Sequence, residues 1–148
     1  MGVVSCRVLG RYVTAARSFA RFFRMPTALR GGYRVRVVSF VKSVTFDCAD
    51  PLRVAAFWAS ALGSSVDEDS TSRRAWVEPA GWGGPTLWFQ RVPEPKSAKN
   101  RQHFDLRAVG PLLQEVLRLE QLGAAVVRRS DDLVVMSDPE GNEFCVEA

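Results

Sequence analysis

The stretch DPEGNEFCVE occupies residues 138–147 and has the composition of a tight turn followed by a strand. Gly141 or Asn142 supplies the positive φ of the turn, because both residue types tolerate the left-handed backbone region. Period-2 alternation in the strand then places Cys145 and Glu147 on one face. The strand ends 6 residues after Gly141, and this spacing recurs earlier in the chain.

About the last hundred residues repeat one pattern twice. The step from Ser43 to Gly63 is 20 residues, as is the step from His103 to Gly123. Between the later glycines the first copy is longer by 3 residues, which one loop insertion explains. The matched positions are Ser43, Asp50, Gly63, Gly84 and Gln90 in the first copy, and His103, Gly110, Gly123, Gly141 and Glu147 in the second.

Each copy is predicted to form a β-α-β-β-β module, the first over 41–92 and the second over 102–148. Asp50 and Pro51 favour a helix start, and Gly63 favours its end. Neither module buries enough surface alone, so we expect an α+β fold in which the two modules pair. Strands are predicted at 37–48, 64–69, 72–78, 86–92, 102–107, 124–129, 132–137 and 142–147, and the second helix at 111–122.

Composition excludes several classes of protein. The chain has 148 residues, 47% apolar and 24% charged, as in an ordinary globular domain. Residues 43–148 carry eleven basic and sixteen acidic side chains, which argues against a nucleic-acid-binding domain. The three cysteines form no CxxC pair, so we expect reduced thiols and a cytoplasmic location. No apolar run approaches the roughly 20 residues of a membrane span.

Residues 1–40 form a separate basic extension. Residues 1–42 contain nine Lys or Arg and no acidic residue, and 11–24 have the periodicity of an amphipathic helix that Pro26 ends. Three interpretations stay open: a poorly ordered extension outside the natural start, an organellar transit peptide, or a helix that contacts an anionic membrane surface. None of them assigns chemistry to this segment.

The tandem modules, the DPEGNEFCVE run and HFDLR at 103–107 together resemble the vicinal oxygen chelate superfamily, and within it the glyoxalase-like and bleomycin-resistance-like proteins. The resemblance covers residues 41–148. It implies a cup-shaped, eight-stranded mixed sheet around a small-molecule ligand, and commonly a homodimer. Because this superfamily contains isomerases, lyases, dioxygenases and drug-binding proteins, the fold does not fix the function.

The resemblance also implies a metal site built from the first and last strand of each module. Its positions here are Ser43, Gln90, His103 and Glu147, of which Ser43 departs from the family pattern. With only one histidine, an extradiol dioxygenase is excluded as a leading candidate. We expect a weakly bound Mg²⁺, Mn²⁺, Ni²⁺ or Zn²⁺ on His103, Glu147 and Gln90, or no metal and a hydrogen bond between His103 and Glu147.

Two functions remain. The first is a lyase or isomerase in which His103 and Glu147 transfer a proton next to a carbonyl group. The second is a non-catalytic protein that sequesters an aromatic compound in a cup lined by Trp76 and Trp88. Ser43, Gln90 and Cys145 complete the predicted ligand site. In a third, weaker interpretation, a partner subunit supplies the missing groups.

Overall fold

The computed structural model describes residues 39–78 and 83–148, so the predicted basic extension lies almost wholly outside the described residues. The described residues form a mixed α+β fold with two helices and two sheets. The strands are β1 (Ser43–Cys48), β2 (Arg74–Val77), β3 (Thr86–Arg91), β4 (Asp105–Arg107), β5 (Ala125–Arg129), β6 (Leu133–Ser137) and β7 (Glu143–Glu147). The helices are α1 (Pro51–Ala61) and α2 (Leu112–Gln121).

The first sheet has the strand order β1-β3-β2, with β1 parallel to β3 and β2 antiparallel to it. Helix α1 packs on β2 and β3 and buries their apolar face. The predicted helix start is confirmed: the Asp50 carboxylate accepts a hydrogen bond from the backbone N–H of Arg53 at 3.2 Å. Gly63, at φ 65°, follows the last turn in the left-handed conformation.

The second sheet has the order β4-β7-β6-β5, with β4 parallel to β7 and the other pairs antiparallel. Helix α2 contacts β7, and Gly123 at φ 108° follows its end as Gly63 follows α1. We call residues 41–92 and 102–148 the first and second half. In each half the first strand, β1 or β4, lies at an edge of its sheet and pairs in parallel with the last strand, so the two halves match in this respect.

An aromatic cluster joins the two halves of this unit. Trp58 of α1 is 1% exposed, and its ring lies 5.4 Å from that of Phe104 and 5.3 Å from that of Phe144. Phe46 of β1 lies 5.5 Å from Phe104. Aromatic pairs at such separations stabilise beyond the area that they bury. Trp58 is therefore a core residue.

The turn before β7 adds polar links between the halves. Asp138 is buried, and its carboxylate accepts hydrogen bonds from the indole N–H of Trp58 and from the backbone of Glu140 and Asn142. The Glu140 carboxylate accepts from the backbone N–H groups of Ala49 and Asp50 at 2.7 and 2.6 Å. The turn thus holds the start of α1 against the second sheet.

The strand predicted at 64–69 is reduced to one bridge, between Val66 and Val77. The cause is local hydrogen bonding that competes with strand pairing. The Asp67 side chain accepts from the Asp69 N–H, and the Asp67 carbonyl accepts from the Ser70 N–H, which closes a turn. In the described residues the sheets therefore have three and four strands.

Within these same ranges, no helix combines the length and apolar character that crossing a bilayer demands.

Candidate functional site

A cavity of about 1190 Å³ lies between the edge strands β1 and β4. One wall is β1, from Val44 to Cys48, and the opposite wall is the segment from Asn100 to Asp105. Glu140 and Glu143 of the second half also border it. The cavity therefore has the position that a site shared by two halves requires, with side chains from both.

A compact group of three potential metal ligands lies at the β4 wall. The Nε2 atom of His103 is 3.2 Å from a carboxylate oxygen of Asp105. Asp105 is directly opposite Cys145 in the β4–β7 pairing. One ligand atom from each of the three residues lies within 4.8 Å of the others. The arrangement places a nitrogen, an oxygen and a sulfur around one point.

Cys145 is buried, whereas His103 and Asp105 are exposed and border the cavity. Burial raises the pKa of the Cys145 thiol, and a hydrogen bond to Asp105 together with its negative charge raises that pKa further. The positive charges of Arg128 and Lys99 act in the opposite direction. A thiol in this state is protonated at neutral pH, so it is no nucleophile unless a cation takes the place of its proton.

The structure does not bring His103 and Glu147 together. The hydrogen bond predicted between them is not formed, because Glu147 has another partner. Glu147 lies opposite Arg107 in the strand pairing, and their side chains form a 2.8 Å ion pair. Arg107 is four residues beyond His103, roughly 13 Å of extended chain. Cys145 and Glu147 lie on the same face of β7, but the register of the β4–β7 pairing places Cys145, and not Glu147, opposite Asp105 and therefore near His103.

The other predicted ligands have separate surroundings. Gln90 donates a hydrogen bond from Nε2 to a carboxylate oxygen of Asp47 at 2.7 Å, and Asp47 borders the cavity. Ser43 pairs with Thr86 at the far end of β1, outside the residues that line the cavity. Gln90 therefore orients a carboxylate on the β1 wall, opposite the His103 group.

Trp76 and Trp88 stack on each other across β2 and β3. Their ring centroids are 4.8 Å apart with an angle of 19° between the planes. They lie opposite each other in β2 and β3, and Trp88 lies opposite Thr45 of β1. Both rings are partly exposed, and neither belongs to the residues that line the cavity, although Thr45 does.

Sequence reasoning missed Asp105 and Asp47. The signal for Asp105 is its spacing of two from His103, which puts both side chains on one face of an extended segment. The signal for Asp47 is its position four residues after Ser43 on the same face of β1. Neither signal says which strand lies opposite, so neither could single out these carboxylates.

The His103, Asp105 and Cys145 set can be tested against the metal that the fold implies. A nitrogen, an oxygen and a thiolate sulfur suit an ion of borderline softness such as Zn²⁺ or Ni²⁺, whereas Mg²⁺ and Mn²⁺ prefer oxygen ligands alone. Three protein ligands also leave a coordination position for water or substrate. The residues present therefore fit a borderline divalent ion, and the oxygen-rich set predicted from sequence is not assembled.

The sequence matches a family model described as a glyoxalase-like domain over residues 43–147. This match spans well over half of the chain, and the chain therefore belongs to the glyoxalase-like domain family. The predicted membership of the vicinal oxygen chelate superfamily is confirmed. No curated protein matches the sequence.

Solved structures of this superfamily share the fold. A glyoxalase/bleomycin resistance protein/dioxygenase family enzyme from Burkholderia phytofirmans PsJN has a TM-score of 0.59 and 17% identity, over 73% of this chain and 97% of that one. A glyoxalase-related enzyme from Fulvimarina pelagi has a TM-score of 0.60 and 14% identity, over 74% and 88%.

A third similar structure is a mutant of the fosfomycin resistance protein FosX from Listeria monocytogenes, complexed with Mn(II) and 1S,2S-dihydroxypropylphosphonic acid. Its TM-score is 0.60 and its identity 14%, over 76% of this chain and 91% of that one. At these identities the similarity establishes the fold and leaves the activity of this chain open.

Proposed function

We propose that this protein is a metal-dependent lyase or isomerase that acts on a small organic molecule in the cavity between β1 and β4. The observation that carries the proposal is the convergence of the His103, Asp105 and Cys145 ligand atoms within 4.8 Å of one another. His103 and Asp105 border the cavity, and Cys145 is buried behind them. His103 keeps the central role predicted from sequence. Asp105 and Cys145 take the place that the prediction gave to Glu147 and Gln90.

The three residues would hold a borderline ion such as Zn²⁺ or Ni²⁺. Such an ion polarises a carbonyl or hydroxyl oxygen of a bound substrate and stabilises negative charge that develops on it. The burial of Cys145 and its hydrogen bond to Asp105 hold these two ligands next to each other before an ion binds. The contribution of the chain is thus a fixed binding position for substrate oxygens on the β4 wall.

Asp47 on the β1 wall is the group that we assign as proton acceptor. Gln90 holds one of its oxygens at 2.7 Å, and the other faces no hydrogen-bonding partner in the described residues. This carboxylate removes a proton from the carbon next to the substrate carbonyl. The C–H electron pair forms a carbon–carbon double bond, and the π pair of the C=O bond moves onto the carbonyl oxygen. Isomerisation follows when the proton returns to the former carbonyl carbon and the hydroxyl proton of the adjacent carbon passes to the enolate oxygen; elimination follows when a group on the β-carbon leaves with its bonding pair.

Hydrogen–deuterium exchange tests this assignment directly. The protein, loaded with Zn²⁺ or Ni²⁺, is mixed with 2-hydroxyacetophenone in D₂O, and exchange of the protons next to the carbonyl is followed by NMR. We expect exchange above the protein-free rate, and a decrease of about 100-fold in Asp47→Asn, the usual size of a general-base contribution. Asp131→Asn, on an exposed turn, is the matched control. Equal exchange with and without protein overturns the enzymatic proposal.

The second candidate function is sequestration of an aromatic compound without reaction. The stacked pair of Trp76 and Trp88 beside the cavity favours it, since aromatic surface binds flat ligands. The same experiment separates the two functions: sequestration gives saturable binding of 2-hydroxyacetophenone with no exchange. Proton exchange that depends on Asp47 excludes it.

We propose that modules 41–92 and 102–148 form an eight-stranded cup, in which the segment at Val66 is the short remaining strand. We also propose that the protein is a homodimer. We also retain a cytoplasmic location, because Cys48 and Cys145 are both free thiols, as in a reducing compartment. Sedimentation velocity across a range of concentrations tests the dimer, and a single monomeric species at all of them contradicts it.

A further inference from the structure

We propose that a planar aromatic ring binds at the border of the cavity, above Thr45, and stacks on the face of Trp88 that Trp76 does not cover. This inference deepens the proposed function by naming the substrate class. It depends on that function only for the reacting end of the substrate, because the aromatic subsite itself involves neither the metal ligands nor Asp47.

The direction of stacking is the first argument. Trp76 and Trp88 lie on neighbouring strands, with centroids 4.8 Å apart and an interplanar angle of 19°. This separation equals the usual distance between paired strands, so the rings stack along the direction that crosses the sheet. One face of Trp88 is covered by Trp76, and its other face is directed toward the next strand, β1.

The space on that side is the second argument. The residue of β1 opposite Trp88 is Thr45, which has a short side chain, is exposed and lines the cavity. Strand β1 is an edge of its sheet, so the cavity rather than another strand lies beyond it. A flat ring placed above Thr45 would continue the stack by one further layer.

The repeat supplies the third argument. Thr45 follows Ser43 by two residues, as Asp105 follows the matching His103. Trp88 precedes Gln90 by two residues, as Cys145 precedes the matching Glu147. Both pairs are directly opposed in a parallel strand pairing. The same position therefore offers an aromatic face on one side and polar ligand atoms on the other. A substrate with a ring at one end and oxygen atoms at the other matches both.

A pair of probes that differ only in aromaticity tests the subsite. Binding of 2-naphthol and of its saturated analogue, decahydro-2-naphthol, is measured by calorimetry on the full chain. We expect 2-naphthol to bind more tightly by a factor of several, up to about tenfold, the size of a favourable aromatic stack. Trp88→Ala should remove this difference, and Trp88→Phe should largely restore it.

A second variant covers the case in which Trp88→Ala fails to fold. Thr45→Phe leaves both tryptophans in place and puts a ring where the ligand ring would lie, so it should reduce 2-naphthol affinity about tenfold. Val127→Ala, at an exposed position on β5, is the control. Equal affinity for the two probes, or unchanged 2-naphthol binding in Thr45→Phe, overturns the subsite.

His103→Ala keeps the two proposals apart. It removes a metal ligand and should abolish proton exchange, whereas the preference for 2-naphthol over decahydro-2-naphthol should persist, because both probes carry the same hydroxyl group and differ only in the ring. Loss of this preference in His103→Ala contradicts the aromatic subsite as placed. Retained binding without any exchange in the unsubstituted protein leaves the subsite intact and removes the enzymatic function.

Discussion

Cys145 lies directly opposite Asp105 where β7 pairs with β4, and this relationship brings a buried thiol next to the only histidine of the chain. In the first half, the equivalent pairing joins Trp88 to Thr45. The two parallel pairings thus carry different chemistry at corresponding positions. The side chains on β1 and β4 therefore determine what each wall of the cavity can bind.

The thiols of Cys48 and Cys145 should react slowly with alkylating reagents, and a bound metal should slow the reaction of Cys145 alone. Burial, followed by nearby carboxylates, raises the pKa of Cys48 from 9.0 to about 12, so its thiolate fraction near pH 8 falls roughly a thousandfold. Peptide mapping after iodoacetamide treatment should find both cysteines largely unmodified in the native protein. Zn²⁺ should further slow modification of Cys145 and leave Cys48 unaffected. Equal protection of both thiols would argue against a metal on Cys145.

Asp138→Ala should be strongly destabilising. The buried carboxylate accepts hydrogen bonds from the Trp58 indole and from the backbone of its own turn, and its removal leaves the buried indole N–H and two part-buried backbone N–H groups without these acceptors. We expect the free energy of unfolding to fall by about 3 kcal/mol, measured by urea denaturation. Asp132→Ala, in an exposed turn, should change it by less than about 0.5 kcal/mol. Similar losses in both variants would contradict this role for Asp138.

Glu140 should contribute to stability through the start of α1. Its carboxylate accepts hydrogen bonds from the N–H groups of Ala49 and Asp50, across the junction of the two halves. Glu140→Ala should lower the free energy of unfolding by about 1–2 kcal/mol, because two charge-assisted hydrogen bonds are lost. Glu94→Ala is the control, since Glu94 borders the same cavity. A loss no larger than that of the control would mean that water replaces the Glu140 contacts at no cost.

Much of the fold follows from local sequence. The Asp50 cap and Gly63 define α1 within a residue or two, because capping depends only on neighbouring residues. The strand at 64–69 was overestimated, since the side-chain turn at Asp67 competes with pairing. The partner of His103 could not be predicted, because alternation gives Cys145 and Glu147 the same face. Only the long-range register selects Cys145.

Stability should decrease in acid through Glu143. A backbone hydrogen bond from Asn100 lowers the pKa of the Glu143 carboxyl below its usual 4.5, and Lys96 lowers it further against the effect of burial. A depressed folded-state pKa means that the stabilisation is present above pH 4.5 and is lost as the pH falls through the folded-state value. The melting temperatures of the unsubstituted protein and Glu143→Gln should differ at about pH 6, and the difference should shrink progressively as the pH falls below 4.5. A difference that is independent of pH would contradict the assignment.

The metal content of the purified protein decides whether His103, Asp105 and Cys145 form a metal site. Residues 38–148 and the full chain are purified without chelator or affinity tag, dialysed against equal Zn²⁺, Ni²⁺ and Mn²⁺, and measured by elemental mass spectrometry. We expect close to one Zn²⁺ or Ni²⁺ per chain with little Mn²⁺, lost in His103→Ala and Cys145→Ser and retained in Glu147→Gln. Absence of metal from the unsubstituted protein, or loss of metal in Glu147→Gln with retention in Cys145→Ser, would contradict this expectation.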